Sequence, residues 1–576
     1  MFEIHNQPNN RQSENLYQEE LNSILILIKS GETNGINELT LLLEKYPDNL
    51  EIMGHLWTAF AIKGEHQKAI DILTRYKELQ PENLEAQWRI GDRLVNLGKL
   101  EEALETYKEI LKENPDCMDA NMGIRYVDYL KRRKHIQTET YIPKKVKLSE
   151  RQESNWELNK KEFKELKLKL KSFPPFLFLE GTTKCNYYCR TCSKGYGEYY
   201  AEDLHPDIFN KVRQELMPTN VRISITGFGE PTLAKNFDEI LQMCLENGSV
   251  VHFATNASLL NFNRIEKLTQ YPVEVYLSID GASKETFEEI RMGSNFELVC
   301  EKLVMVKKLR DIYLSKDFSL FSFLFVALNR NISELPDVVN MAHHYGINSI
   351  LVLDYLFGYR DFDQQSLRYE PEKANYYLKE AEKKADELGI VLNLPPEYNP
   401  ESPPPLKASL WHKILRTRRF FSEKKRFPNR CYSPWTEPYI RTDGTVSPCC
   451  TSGLRLGNLK KRFFEKIWNC WRYYLYRFRI HTSIPPLECR KCHLKWGLNG
   501  GNPGNVIAKE GLLVKAFYFF EGRLHRYGEK LIRFLRSLLY KLKGQEIPEP
   551  KPNYFRGRPI FSGKQNKREK ELSQLL

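Results

Sequence analysis

The sequence predicts an α/β protein: a parallel sheet covered by helices, with a helical domain before it and a small cysteine-rich domain after it. Three observations carry that expectation. Six short, near-continuously apolar runs alternate with amphipathic helical segments between residues 176 and 354, as buried parallel strands joined by helical crossovers do. The residues before them repeat with a period of 34, and fixed-period self-similarity marks stacked helix pairs. Cysteines cluster at 185–192 and again at 431–492.

A chain of 576 residues is too long for one core, so about three to four domains are expected. A hydrophobic content of 41% and a charged content of 28% are those of a soluble globular protein. The start, MFEIHNQPNNRQ, lacks the basic-then-apolar order of a secretory signal. No apolar run approaches the length of a spanning helix. A cytoplasmic protein is therefore expected, and its 12 cysteines point to metal rather than to disulfides.

The helical domain is placed at residues 15–130. Gly64 matches Gly98, Ala69 matches Ala103 and Pro81 matches Pro115, each 34 residues apart, and Pro47 precedes Pro81 by the same step. The small alanine lets paired helices approach, and the proline closes one unit and opens the next. Such an array either only packs, or presents a concave face to a peptide or protein partner. Two good copies and a weaker one are few, so the array is expected to pack on a neighbour. Residues 131–172 read as a charged linker and a solvated helix. Glutamates alternate there with the lysines, so no nucleic-acid partner is expected.

The sheet domain is placed at residues 173–400. Its strand candidates are FLFLE (176–180), VRISIT (221–226), SVVHFAT (249–255), EVYLSI (274–279), LFSFLFVAL (320–328) and SILVLD (349–354). Six units fall short of the eight of a closed barrel, and catalytic groups in such folds sit at the C-terminal strand ends. The first run leads directly into Cys185, Cys189 and Cys192, spaced C-x3-C-x2-C. Three thiols this close can converge on one inorganic centre. They are one ligand short of a closed four-coordinate site, which leaves a position open for another molecule. The plainer readings are three unrelated buried thiols or a partial zinc site.

Three further strand ends carry motif-like residues. GFGEP follows the second, with Gly227, Gly229, Glu230 and Pro231; glycines there let backbone groups approach a small charged ligand. TNAS follows the third, with Asn256. SIDG follows the fourth, with Ser278 and Asp280, and Arg291 comes soon after. Each alone is ordinary loop chemistry; their order after a C-x3-C-x2-C loop is not. Asp354, Tyr355 and Arg360 lie past the sixth strand, where a substrate could reach them.

The cysteine-rich domain is placed at residues 425–498. Cys431 and Cys449 flank two strand-like runs with Asp443-Gly444 between them, a hairpin signal. Cys489 and Cys492 form a compact C-x2-C pair. Four thiolates from a hairpin and a knuckle make a closed site, for zinc or for an iron–sulfur cluster. Cys450 follows Cys449 directly, and adjacent strand residues face opposite ways, so Cys449 is taken as the ligand.

Residues 505–576 hold 16 Lys or Arg against 7 Asp or Glu, which accounts for most of the net charge of +13. Leu531, Phe534, Leu535, Leu538 and Leu539 form one helical stripe there. A basic amphipathic helix of this kind docks on protein or lies on an anionic membrane surface; beyond it the tail reads as disordered.

Taken together, C-x3-C-x2-C, GFGEP and the later strand ends resemble the radical SAM enzymes. C…PW…DG…PCC…LGNL…IW…C-x2-C resembles their SPASM/Twitch extension, and the N-terminal repeats resemble tetratricopeptide repeats. The resemblance implies a partial (β/α)6 TIM-like barrel. Cys185, Cys189 and Cys192 would hold a [4Fe–4S] cluster whose fourth iron chelates S-adenosylmethionine (SAM). The turn at Gly227–Pro231, with Asn256, Ser278, Asp280 and Arg291, would seat SAM; in the family Thr191 is usually aromatic. Cys431, Cys449, Cys489 and Cys492 would hold one auxiliary [4Fe–4S] cluster. The implied reaction is reductive cleavage of SAM to a 5′-deoxyadenosyl radical that abstracts hydrogen, with electrons from a flavodoxin- or ferredoxin-like donor. Peptide or protein modification is the expected use. Oxidation of a small molecule such as an aminosugar alcohol is the alternative, and a non-catalytic iron–sulfur assembly protein is a third reading.

Overall fold

The structure, a computed structural model, describes residues 20–25, 34–132, 148–192, 194, 201–271, 273–315, 319–354, 363–395, 397–398, 431–450, 452–481, 485–486 and 489. The chain divides into two compact units. One comprises residues 1–146, 260–273 and 300–320; the other comprises 147–259, 274–299 and 321–576.

The first unit contains the helices Asn34–Lys45, Leu50–Ile62, His66–Leu79, Leu84–Asn96, Leu100–Glu113 and Met118–Arg132. The 34-residue period of the sequence is the period of this array. Asn49 and Asn83 cap equivalent helices, their side chains accepting from Ile52 N and Ala86 N; such caps satisfy donors the first turn leaves open. Ala69 and Ala103 are fully buried where paired helices meet. The array also closes around chain from later in the sequence. Lys308 Nζ lies 2.6 Å from Asp92, both side chains fully buried. The Tyr107 hydroxyl donates to the same carboxylate at 2.6 Å. Arg93 donates to the carbonyls of Asp311 (2.7 Å) and Ile312 (3.0 Å). The packing expected of so short an array is thus made within this unit.

The second unit is built on a sheet. Its strands are β1 (Phe176–Leu179), β2 (Arg222–Ser224), β3 (Val250–Thr255), β4 (Val273–Ser278), β5 (Ser319–Ala327), β6 (Ser349–Asp354), β7 (Val391–Asn393), β8 (Tyr439–Ile440), β9 (Thr445–Ser447) and β10 (Gly457–Asn458). Their order is β10-β9-β8-β1-β2-β3-β4-β5-β6-β7. The six expected strands lie side by side in chain order, and β1–β2, β2–β3 and β5–β6 pair parallel. Inward residues such as Leu177, Ile223, Val251, Val275, Phe323 and Ile350 are buried.

Two features go beyond the expectation. β7 extends the sheet beyond β6 in parallel. On the other edge β8 pairs parallel with β1, Phe178 opposite Tyr439 and Leu179 opposite Ile440. The cysteine-rich domain therefore continues the same sheet. The hairpin read at Asp443-Gly444 is present as antiparallel β8 and β9, with Cys431 and Cys449 beyond its two ends.

The charged segment before β1 forms the helix Glu150–Lys164, with a Ser149–Gln152 capping box. Its outer residues are solvated, but a polar stripe is buried. Asn159 donates to Ser172 Oγ (2.9 Å) and to the Trp435 carbonyl (2.8 Å). Gln152 donates to the Asn220 carbonyl at 2.5 Å. This helix helps frame the unit rather than only linking domains. Among the described residues no helix is long and apolar enough to cross a membrane. The apolar stripe at 531–539, the segment read at 505–576, Cys492, Tyr355 and Arg360 lie outside the described residues.

Candidate active site

The cysteine loop leaves β1 at its C-terminal end and is fastened to the ends of three neighbouring strands. The Lys184 carbonyl accepts from Glu230 N at 2.7 Å, in the turn after β2. Asn186 donates to Ser258 Oγ and accepts from Asn256 Nδ2, both at 2.9 Å, in the turn after β3. Tyr188 N and Arg190 N donate to the carbonyls of Met292 (2.9 Å) and Ile290 (2.8 Å), beyond β4. The loop's outer arm is held at Asp203, which accepts from Thr182 Oγ1 (2.8 Å) and Lys184 Nζ (2.7 Å). The sequence-predicted residues of four separate segments are therefore brought to one end of the sheet.

The two glycines of GFGEP have a definite reason. A Cβ on Gly229 would lie 2.4 Å from the Lys184 carbonyl oxygen and 2.5 Å from that of Thr182. A Cβ on Gly227 would lie 2.5 Å from Glu180 Cγ. Sequence reasoning assigned this freedom to the approach of a ligand; in the structure it admits the chain's own cysteine loop and the carboxylate that precedes it.

Glu230 is buried and fully engaged. Its Oε1 accepts from Thr255 Oγ1 (2.6 Å), Thr232 Oγ1 (2.5 Å) and Thr232 N (3.2 Å), and its Oε2 accepts from Asn256 N at 2.7 Å. It thus caps the short turn Pro231–Leu233 and pins the end of β3. Just after Asn256, Ala257 is held at φ +65°, a left-handed conformation that side-chain-bearing residues avoid. Its N–H is taken by Thr255 Oγ1 at 3.1 Å. Strain at a strand end beside a candidate site is where a binding role stores it.

Ser278 closes β4 and is buried. Asp280 is fully buried, with Oδ1 accepting from Val326 N at 2.8 Å and Oδ2 2.8 Å from Arg291. Arg291 Nη1 in turn lies 3.9 Å from Cys189 Sγ. Burial pulls the guanidinium toward neutrality, and the facing Asp280, with the Cys189 thiol, more than offsets this, so Arg291 remains a cation. Burial also pushes the Cys189 thiol up to about 12, against the pull of Arg291. The Cys185 thiol is raised by burial too, opposed by the Tyr187 N–H it accepts at 3.5 Å. Asp354 is less available than its position suggested, since Arg368 lies 3.3 Å away.

This donor set fits an iron–sulfur centre. Three thiols share one loop, each within electrostatic reach of another. Backbone N–H groups already point at two of them, Tyr187 N at Cys185 and Lys194 N at Cys192, both at 3.5 Å. The buried Arg291 Nε, beside Cys189, has no hydrogen-bond partner among the described residues. Among those residues no three His, Cys, Asp or Glu side chains form a group that would hold a single metal ion.

In the cysteine-rich domain Cys431 precedes a short helix, Ser433–Thr436, whose Trp435 is fully buried and donates to the Lys167 carbonyl at 2.7 Å. Cys449 follows β9. Cys489 is buried, its sulfur 2.9 Å from the Tyr476 hydroxyl. Cys450 is exposed. Sequence reasoning missed Arg477. It is buried between the rings of Trp468 (4.4 Å) and Tyr473 (4.8 Å). Its Nε donates to the Pro434 carbonyl at 2.9 Å, near Cys431, and its Nη1 to that of Leu168, also at 2.9 Å. Glu180, Ala257 and Tyr439 were missed as well; for Glu180 the available signal was a carboxylate at the end of an otherwise apolar strand.

Comparison with known families agrees with this layout. Residues 179–351 match the radical SAM superfamily, 431–493 an iron–sulfur cluster-binding (SPASM) domain, and 60–122 the tetratricopeptide repeat. The chain is similar to the tungsten-containing aldehyde ferredoxin oxidoreductase cofactor-modifying protein of Pyrococcus furiosus, 24% identical over 56% of this chain and 87% of that one. It is 27% identical to the mycofactocin maturase MftC of Mycobacterium tuberculosis, over 30% of this chain and 43% of the maturase. It is 23% identical to the AdoMet-dependent heme synthase of Methanosarcina barkeri, over 51% and 82%. Among solved structures, Streptococcus suis SuiB bound to the precursor peptide SuiA covers 71% of this chain and 90% of its own, at 16% identity and a TM-score of 0.43.

The cysteine loop at the sheet's C-terminal edge and the matched families define a radical SAM enzyme. Within that class this chain is one with a C-terminal SPASM domain and N-terminal tetratricopeptide repeats. Its radical SAM domain binds a [4Fe–4S] cluster and SAM, and its SPASM domain binds auxiliary iron–sulfur.

Proposed function

We propose that this enzyme abstracts hydrogen from a peptide or protein substrate. Cys185, Cys189 and Cys192 are the ligands of the first cluster in this reading. The turn Gly227–Pro231 with Asn256, Ser278, Asp280 and Arg291 seats SAM. Cys431, Cys449, Cys489 and Cys492 hold one auxiliary cluster. The cluster with its bound SAM supplies the radical that starts the reaction, with electrons from an external flavodoxin- or ferredoxin-like donor. The chain's own part is to hold the thiolates, exclude water and orient both partners.

The observation that carries the reading is the fastening of the cysteine loop to three strand ends that bear the candidate SAM contacts. The peptide substrate is supported by the repeat domain, together with relatives that include a maturase. Within the first unit, a groove of about 330 Å³ runs along the early helices and is lined by Leu43, Leu56, Phe60, Ile72, Lys68 and Asp71 among others. Apolar walls with both signs of charge suit a mixed peptide segment.

The test uses the full chain, reconstituted without oxygen and supplied with SAM and dithionite. It is given either the peptide or the small-molecule fraction of cells grown on deuterated amino acids. Deuterium transferred to 5′-deoxyadenosine from the peptide fraction supports the reading. Transfer from the small-molecule fraction alone sinks the peptide substrate and leaves the radical chemistry standing. No 5′-deoxyadenosine from cluster-loaded protein sinks both.

A further inference from the structure

Glu180 is the residue on which the two cofactor-binding parts of the second unit meet. It ends the apolar run of β1, five positions before Cys185, and is 3% exposed. Its Oε1 accepts from Phe228 N at 3.1 Å and from the Tyr439 hydroxyl at 2.9 Å. Its Oε2 accepts from Thr442 N at 3.3 Å. Phe228 belongs to the turn Gly227–Pro231. Tyr439 lies on β8 and Thr442 just beyond it, on the hairpin that leads to Cys449. The Glu180 N–H donates to the Ile440 carbonyl at 2.9 Å. The carboxylate reaches Phe228 because residue 227 is glycine, since a Cβ there would lie 2.5 Å from Glu180 Cγ.

A buried carboxylate is costly to maintain unless its acceptors are filled. An apolar residue of similar size would serve packing alone at least as well. Here each named donor belongs to the SAM-side turn or to the SPASM hairpin. The turn cannot shift without disturbing the hairpin, and the converse holds. Burial raises the Glu180 carboxyl, opposed by the donors Phe228 N, Tyr439 and Thr442 N and by the positive charge of Arg441, which is stacked 5.4 Å from the Tyr439 ring centroid.

We propose, resting on the radical SAM reading above, that Glu180 is a positioning residue that ties the SAM-seating turn to the SPASM hairpin, so that the hairpin controls how tightly SAM is held at the first cluster. Glu180 touches neither the thiolates nor, in this proposal, SAM. It fixes the backbone of Gly227 and Phe228, and through Gly229 and Glu230 the position of the Lys184 carbonyl at the root of the cysteine loop. Loss of order in the hairpin then loosens SAM at a distance, through one shared carboxylate rather than through contact with the ligand.

The test uses the full chain with both clusters reconstituted, as wild type and as Tyr439→Phe, Glu180→Gln and Glu180→Ala. Tyr439→Phe is the most telling, because it removes one donor on the hairpin side and leaves the turn and every proposed ligand intact. Three quantities are read: iron per chain, the dissociation constant of radiolabelled SAM by equilibrium dialysis, and the change in the reduced cluster's EPR spectrum on adding SAM. Tyr439→Phe and Glu180→Gln are expected to weaken SAM binding roughly three- to tenfold, the scale of one lost hydrogen bond of ordinary strength. Glu180→Ala is expected to weaken it further, at wild-type iron content, with a smaller SAM-dependent spectral change that Glu180→Gln partly restores. SAM affinities within twofold of wild type for Tyr439→Phe and Glu180→Gln, with unchanged spectral responses, overturn the proposal. If the Glu180 variants lose iron, Tyr439→Phe decides alone. A wild-type protein that holds its clusters and does not bind SAM sinks the radical SAM reading itself, so the two failures are told apart.

Discussion

Arg291 and Asp280 form a buried ion pair at 2.8 Å, with the arginine side chain 9% and the aspartate 0% exposed. The pair puts a fixed positive charge beside Cys189, whose sulfur is 3.9 Å from Arg291 Nη1. Hydrogen bonds and positive charge at a cluster thiolate raise its reduction potential. Arg291→Gln is therefore expected to make the midpoint of the first cluster more negative in an EPR-monitored redox titration. Asp280→Asn leaves the arginine in place without its anchor. Outer partners of this kind typically matter by about 10- to 100-fold, and a drop of that order in 5′-deoxyadenosine formation is expected. An unchanged midpoint in Arg291→Gln at full iron content would show that the guanidinium does not act on the cluster.

Gly229 makes a sharper structural prediction. An alanine there must displace the carbonyls of Thr182 or Lys184, which stand 2.5 and 2.4 Å from the new methyl. Both are backbone atoms at the root of the cysteine loop, so neither yields cheaply. Gly229→Ala is expected to lose the first cluster and keep the SPASM iron. Iron per chain then falls to about half, given one four-iron cluster at each site. Full iron content in this variant would mean that the loop tolerates the shift.

The strands were legible as short, near-continuously apolar runs and the repeats by their period. The apolar runs that hold β1 to β6 stand out from the amphipathic segments between them, and the 34-residue step repeats its caps and its alanine as well as its turns. The cysteines and the strand-end residues were legible because their types are chemically restricted. β8 was legible as one arm of the Asp443-Gly444 hairpin, but its pairing with β1 was not, since the two lie 259 positions apart at the Glu180–Tyr439 contact. The burial of Lys308 against Asp92 was invisible for a related reason. Each reads as a solvated charge on its own helix, and only the fold brings them within 2.6 Å. The packing of the cysteine loop and Glu180 against Gly227 and Gly229 was not legible, because a sequence shows that space is needed, not what fills it.

The Asp92–Lys308 pair gives a prediction for the first unit. Both groups are fully buried, and the aspartate also accepts from Tyr107 at 2.6 Å. Removing one partner of such a pair strands the other charge and costs about 3–5 kcal/mol. Lys308→Met is expected to lower the thermal midpoint of the repeat unit by several degrees in calorimetry. The double change Asp92→Asn with Lys308→Met is expected to recover much of that loss. Two equal, additive losses would show that the pair is not coupled.

Glu437, next to the SPASM hairpin, sets a pH dependence. Burial raises its carboxyl from the ordinary 4.5 to about 7, against the opposing charge of Arg222. In the unfolded chain the same group keeps its ordinary value. Between pH 4.5 and 7 the folded state therefore binds this proton more readily than the unfolded state does. That contribution favours the fold as pH falls toward 4.5 and penalises it as pH rises through 7. Glu437→Gln mimics the protonated form and removes the penalty. The variant is expected to unfold later than wild type in denaturant at pH 8, with the difference shrinking as pH is lowered to 6. A difference that is constant across that range, or that grows toward acid, would place the titration elsewhere.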